Sequence, residues 1–98
     1  MLRNPDLDYL FEAILTLKTV DECYLFFEDM CTIKELQSMA QRMQVAKELT
    51  ANKNYLQVYE ETGVSSATIS RVNKCLQYGA GGYKIALERL ASGGNSDE

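Results

Sequence analysis

Along most of the chain, apolar residues return every three or four positions. This is the period of a helix that covers one face. Asn4-Pro5 starts the first run, with asparagine placed to cap and proline at the first helical position. Leu7, Leu10, Phe11, Ile14 and Leu17 follow on one side. Thr19-Val20-Asp21-Glu22 has Thr-x-x-Glu spacing, which predicts a capping box at the head of a second helix reaching about Met30. Its apolar stock is Val20, Cys23, Tyr24, Phe26, Phe27 and Met30. Thr32-Ile33-Lys34-Glu35 repeats the box and opens a third helix ending near Ala51-Asn52. Ile33, Leu36, Met39, Ala40, Met43, Ala46 and Leu49 are expected on its covered side. The fold class is therefore all-α.

The next twenty residues, Tyr55 to Lys74, have a different grammar. Leu56, Val58 and Tyr59 give a short helix an apolar side, and Gly63 supplies the left-handed residue that ends it. Val64 is placed to plug the corner. Ser65 or Ser66 caps the following helix, whose inner face is Ile69, Val72 and Leu76. A short helix, a glycine turn and a capped second helix make a helix-turn-helix. One position departs from the usual pattern: the fifth, commonly small, is Tyr59.

The second helix has an outer face suited to duplex DNA. Ser66, Ala67, Thr68 and Ser70 are small, so that its first turn can come close to base edges, and the helix dipole there favours phosphate. Arg71 and Lys74 lie a turn further on, where they reach phosphate or a guanine edge. With Ser65, these residues are the candidate DNA contacts. The bland alternative is a helical hairpin with ordinary caps and surface charges.

Composition narrows the field. The 98 residues contain no histidine, which removes the commonest general base and transition-metal ligand. The chain has no phosphate-binding glycine loop and no C-x-x-C pair. An enzyme is not expected, and neither is a metal or other cofactor. Cys23, Cys31 and Cys75 are odd in number and unpaired by motif, which predicts free thiols in a reducing cytoplasm. The opening Met1 to Asp6 lacks the basic-then-apolar run of a signal peptide, and no window is apolar for about 18 residues.

The net charge of −4 argues against DNA binding until it is resolved by region. Residues 1–31 carry −5, residues 32–64 balance, and residues 65–92 carry +3 through Arg71, Lys74, Lys84 and Arg89 against Glu88. Phosphate responds to the local field, screened beyond about 8 Å at physiological salt. A basic C-terminal face on an acidic body can therefore still hold DNA. The first two helices are also richer in apolar and aromatic residues than one shallow face needs. That surplus predicts a second copy of the chain as its cover.

Over residues 32–90 the sequence resembles the Trp repressor superfamily, specifically its small TrpR-related YerC/YecD branch. The resemblance is carried by Thr32 opening a helix, Ala40-x-Arg42 and Glu48-Leu49 within it, then Gly63 and Ala67-Thr68-Ile69-Ser70-Arg71-x-x-x-x-Leu76. It implies about six helices and an intertwined homodimer that places two helix-turn-helix units in successive major grooves of a palindromic operator. It also implies an effector pocket: Arg42 and Arg71 match the arginines that sandwich the corepressor indole, and Thr32 matches a threonine lining the same pocket. The residue after the second arginine is glycine in the Trp repressor and Val72 here, which should fill part of the cleft. Tryptophan is accordingly not expected as effector. Arg42 then has a second reading, a structural ion pair to Glu35 or Glu48.

These readings give one helical domain over 1–91, with 1–51 mainly for dimerisation, the helix-turn-helix over 55–77, a last helix over 83–91 and a disordered tail over 92–98. The expected function is a cytoplasmic, homodimeric, sequence-specific DNA-binding regulator, a repressor, with an unidentified small-molecule effector allowed and no membrane partner. The alternative is a dimeric helical module that binds protein instead of DNA, suggested by the acidic N-terminal third.

Overall fold

The computed structural model describes residues 1–93, and within them six helices and no strand. They are α1 (Pro5–Leu15), α2 (Val20–Met30), α3 (Ile33–Thr50), α4 (Tyr55–Thr62), α5 (Ser66–Tyr78) and α6 (Gly82–Ala91). Of the expected tail, residues 94–98 lie outside the described residues, while Ser92 is the C-cap of α6.

The first three helix starts have a local chemical cause. Asn4 Oδ1 accepts from the Leu7 amide at 2.9 Å, and Pro5 follows in the first turn. The box at Thr32 is complete: its hydroxyl accepts from the Glu35 amide at 3.1 Å, and Glu35 Oε1 accepts from the Thr32 amide at 2.7 Å. At Thr19 only one arm forms as expected. The hydroxyl accepts from the Glu22 amide at 3.0 Å, but Glu22 Oε1 reaches back one residue further, to the Lys18 amide at 2.8 Å. The helix start is the same; the orphan amide that is satisfied differs. α1 ends at Leu15, two residues short of Leu17, the last residue expected on its apolar face.

The chain divides into two compact units, Met1–Leu36 and the part from Gln37 onward. In the first, neither α1 nor α2 holds a single buried residue. Tyr9, Leu15, Val20, Tyr24, Leu25 and Ile33 are each at least 66% exposed, so the apolar surplus read from the sequence stands open to solvent. Phe26 and Phe27 meet edge-to-face, their centroids 5.3 Å apart.

The second unit contains the core. Val45 and Ala46 of α3, Val58 of α4, Val64 of the turn, and Ile69 and Val72 of α5 are buried, with Leu49, Leu76, Tyr83 and Leu87 packed around them. α5 is the central element and packs on both α4 and α6. Within α3 the expected face is only partly covered. Ala46 is buried and Leu49 half-buried, whereas Ile33, Met39 and Ala40 are exposed, and Val45, outside the expected set, is fully buried. Of this 18-residue helix only Val45 and Ala46 reach the buried core, so one apolar stripe cannot describe it. Leu56 and Tyr59 were also expected to face inward and instead are 64% and 52% exposed, leaving Val58 alone to anchor α4.

Candidate nucleic-acid interface

α4 is short, and its ends are closed by specific groups. Asn54 and Gln57 form a full capping box: Asn54 Oδ1 accepts from the Gln57 amide and Gln57 Oε1 from the Asn54 amide, both at 2.9 Å. This box was not foreseen, although its Asn-x-x-Gln spacing is visible in the sequence. At the other end Gly63 adopts φ +70°, and its amide donates to the Tyr59 carbonyl at 2.8 Å. That left-handed conformation is where a side chain is penalised, hence the glycine. The Thr62 hydroxyl donates to the Val58 carbonyl at 2.7 Å and accepts from the Val64 amide at 3.2 Å, which ties the turn to the helix it leaves.

Val64 then drops into the core, 6% exposed. Ser65, rather than Ser66, is the N-cap of α5. Its hydroxyl accepts from the Thr68 amide at 3.3 Å and donates to Thr68 Oγ1 at 3.2 Å. Ile69 and Val72 anchor the inner face, fully buried, and Leu76 is half-buried. With the inner face held, Ser66, Ala67 and Ser70 are exposed and Thr68 half-buried. The backbone amides of the first turn have no acceptor within the helix, and Ser65 takes only that of Thr68. Arg71 and Lys74 are exposed on the next turn. Among the described residues the ion pairs are both made by Lys53, so neither Arg71 nor Lys74 is in one.

Lys53 spans the α3–α4 corner. Its Nζ lies 2.5 Å from Glu48 Oε1 near the end of α3 and 2.5 Å from Glu61 Oε1 near the end of α4. Gln44 Nε2 donates to the other Glu48 oxygen at 3.0 Å. The hydrogen bond from Lys53 holds the Glu48 carboxyl below the usual carboxylate range, against a smaller opposing effect of desolvation. The same contacts, with Glu48 first and Glu61 second, raise the Lys53 ammonium. Two acidic charges beside the helix-turn-helix are thereby shared with one cation. The Glu48–Lys53–Glu61 grouping was not legible beforehand, because Lys53 and Glu61 stand eight positions apart, just before α4 and near its end.

The four residues matched to an effector pocket are not alike in position. Thr32 is the exposed cap residue of α3 and belongs to the first unit; Arg42, Arg71 and Val72 belong to the second. Arg42 Nη1 donates to Ser38 Oγ at 3.0 Å, and Glu48 is taken by Lys53, so the ion pair suggested for Arg42 is replaced by a hydrogen bond within its own helix. Val72 is 1% exposed, a core residue whose side chain is enclosed by the unit itself. A separate cleft of about 400 Å³ opens between α3, α5 and α6, lined by Leu49, Leu76, Leu87 and Ala91 with Lys84 and Glu88 among its polar residues. Cys23, Cys31 and Cys75 are free thiols.

The pair α4–α5, with its glycine turn and cap, defines a helix-turn-helix of the Trp repressor class. The Trp repressor protein family model matches residues 5–91. The chain is 53% identical over 89 residues to YerC of Bacillus subtilis (strain 168), an uncharacterized protein, with 91% of this chain and 86% of that one covered. The crystal structure of a TrpR-like protein from Eubacterium eligens ATCC 27750 matches with a TM-score of 0.88 and 52% identity, covering 92% of this chain and 93% of that one. A second crystal structure, from Staphylococcus aureus, matches with a TM-score of 0.88 and 47% identity, covering 95% and 93%. This chain belongs to the Trp repressor family, in the branch that contains YerC. Among the described residues no helix is long and apolar enough to cross a membrane.

Proposed function

We propose that this protein is a cytoplasmic, sequence-specific DNA-binding regulator that acts as a homodimer and represses transcription from a palindromic operator. The observation that carries this reading is the outer face of α5: small residues over the first turn, then two exposed cations outside any described ion pair, on a helix whose inner face is locked by Ile69 and Val72. Ser65, Ser66, Ala67, Thr68 and Ser70 let the helix approach base edges, and Arg71 and Lys74 provide phosphate or guanine contacts. Membership of a regulator family supports the reading; so does the regional charge, positive from residue 65 to 92.

Dimerisation follows from the same physics. Among the described residues six side chains are buried, a small core, while α1 and α2 leave large apolar side chains in water. A second copy covers that surface and brings two α5 helices to one duplex, about 34–36 Å apart. Residues 1–51 serve mainly this role, with α6 completing the domain over 1–91. Arg42 and Arg71, both in the second unit, are candidates to hold a carboxylate-bearing effector other than tryptophan.

The test is selection of genomic fragments at about 150 mM salt, beside Arg71→Ala and Lys74→Ala. Enrichment of a palindrome with half-sites about one helical turn apart, weakened in both variants, is the expected result. Each lost phosphate contact lowers the salt slope by about one. A well-folded dimer that selects no DNA and co-purifies with a protein would instead support the interaction-module reading, for which the −5 charge of residues 1–31 is the motive.

A further inference from the structure

Lys53 ties the corner between α3 and α4 three times. α3 ends in a left-handed turn: Asn52 takes φ +67°, its amide donates to the Leu49 carbonyl at 3.1 Å, and the Lys53 amide donates to the Glu48 carbonyl at 3.3 Å. This pair of hydrogen bonds closes a helix C-terminus and fixes where the chain leaves it. From there the Lys53 ammonium reaches the Glu48 carboxylate and, on α4, the Glu61 carboxylate, each at 2.5 Å. The Glu48 side chain is only 12% exposed and its other oxygen accepts from Gln44 at 3.0 Å, whereas Glu61 is 48% exposed. Glu48 is therefore the fixed post, and Glu61 is the arm that is held.

Little else orients α4. Its one buried residue is Val58, and it packs on α5. The core beneath it is made of Val45, Ala46, Val58, Val64, Ile69 and Val72. Apolar contacts are non-directional, so they hold α4 down without setting its tilt. Glu61 is the seventh of the eight residues of α4, so the clasp grips the end away from Asn54. A swing of about 10° about Asn54 moves that end of a helix about 12 Å long by about 2 Å. An ion pair at 2.5 Å does not survive that displacement. The swing would also pass to α5, because the Thr62 hydroxyl joins the Val58 carbonyl to the Val64 amide and only Gly63, Val64 and Ser65 separate the two helices.

We propose that Lys53 is a positioning residue for DNA recognition: by tying Glu61 of α4 to Glu48 of α3, it fixes the tilt at which α5 meets the duplex. The proposal rests on the DNA-binding reading above. Without the clasp, other tilts are populated, and operator affinity falls in proportion to the fraction of molecules that stay competent. Non-specific binding needs charge but not this alignment. The two affinities therefore separate.

The experiment measures affinity for the selected operator and for a shuffled duplex of the same length. It compares the wild-type chain with Glu61→Ala, Glu61→Gln, Glu60→Ala and Lys53→Arg, each checked by thermal melting. Glu61→Ala removes an acidic charge from the last turn of α4 and inserts the best helix former. Charge and helix propensity alone therefore predict a folded protein that binds both duplexes as tightly as wild type or more so. Positioning predicts the opposite sign for the operator: a loss of about tenfold, the scale of one charge-assisted hydrogen bond, with the shuffled duplex bound no more weakly than before. Glu61→Gln, whose amide oxygen can still accept from Lys53, should lose less, and Lys53→Arg, which keeps the cation, should retain most of the operator affinity. Glu60→Ala is the control for charge, since Glu60 is exposed and outside the described ion pairs, and it should bind both duplexes at least as well as wild type. Undiminished operator affinity in both Glu61 variants, a loss shared equally by the two duplexes, or an equal loss in Glu60→Ala would overturn the proposal and leave the DNA reading standing. A wild-type chain that binds no duplex would overturn both.

Discussion

Val72 offers the sharpest test of the structural reasoning, because the residue matched to it in the Trp repressor is a glycine. Its side chain is 1% exposed and sits with Ile69, Val58 and Val45 in the core of the second unit. Val72→Ala removes about two methylene equivalents at about 0.8 kcal/mol each, and the cavity left behind adds to that. The expected loss is about 2 kcal/mol. Val72→Gly removes the remaining carbon and places glycine inside a helix, adding about 1 kcal/mol for the backbone, for a total of about 4 kcal/mol. Against a typical total of about 5–15 kcal/mol, that loss is severe. Val72→Thr keeps the shape, and its hydroxyl can donate to the carbonyl four residues back, as Thr50 and Thr62 do in their own helices. It should therefore cost only about 1 kcal/mol. Urea unfolding followed by circular dichroism, at several protein concentrations so that any association is separated from folding, gives the three values. A loss below about 1 kcal/mol for the glycine variant would show that Val72 borders an open cleft, and the packing argument would be wrong. Stoichiometric, micromolar tryptophan binding by the wild-type chain in calorimetry would refute the companion inference that this filled position excludes the indole.

Three further outcomes are expected. Ser65→Ala should cost about 1 kcal/mol in the same assay by leaving the Thr68 amide without its partner, and Ser65→Asn should restore most of it. Gly63→Ala places a side chain at φ +70° and should destabilise by about 1–2 kcal/mol although no atom lies near the new carbon, so a neutral result would contradict the turn geometry. The Glu48–Lys53 pair predicts a pH dependence of stability with two limbs. Glu48, lowered from its ordinary 4.5, contributes stability that is present above that value and is lost as pH falls through its folded pKa. Lys53, raised from 10.5, contributes stability present below that value and lost as pH rises through its folded pKa. Glu48→Gln should flatten the acid limb and Lys53→Met both; unchanged profiles would mean that the pair adds nothing.

What the sequence determined by itself was local. Asn4, Thr19 and Thr32 mark helix starts because a cap is satisfied within three residues, and Gly63 marks a helix end because one residue's φ decides it. The family was legible for a related reason, since Ala67 to Arg71 is a contiguous run on one helix. The structure alone decided which apolar residues are covered. Leu56, Tyr59, Ile33 and Met39 have the same spacing as Val58, Ala46 and Ile69, yet the first four are exposed and the other three buried. Periodicity assigns a residue to a side of its helix, but burial depends on what other elements place against that side. The Lys53 bridge is another such case: it joins Glu48 to Glu61 across a corner whose angle no spacing along the chain encodes. The outer face of α5 was readable from its letters, whereas the uncovered flank of α4 became visible only once the core had formed without it.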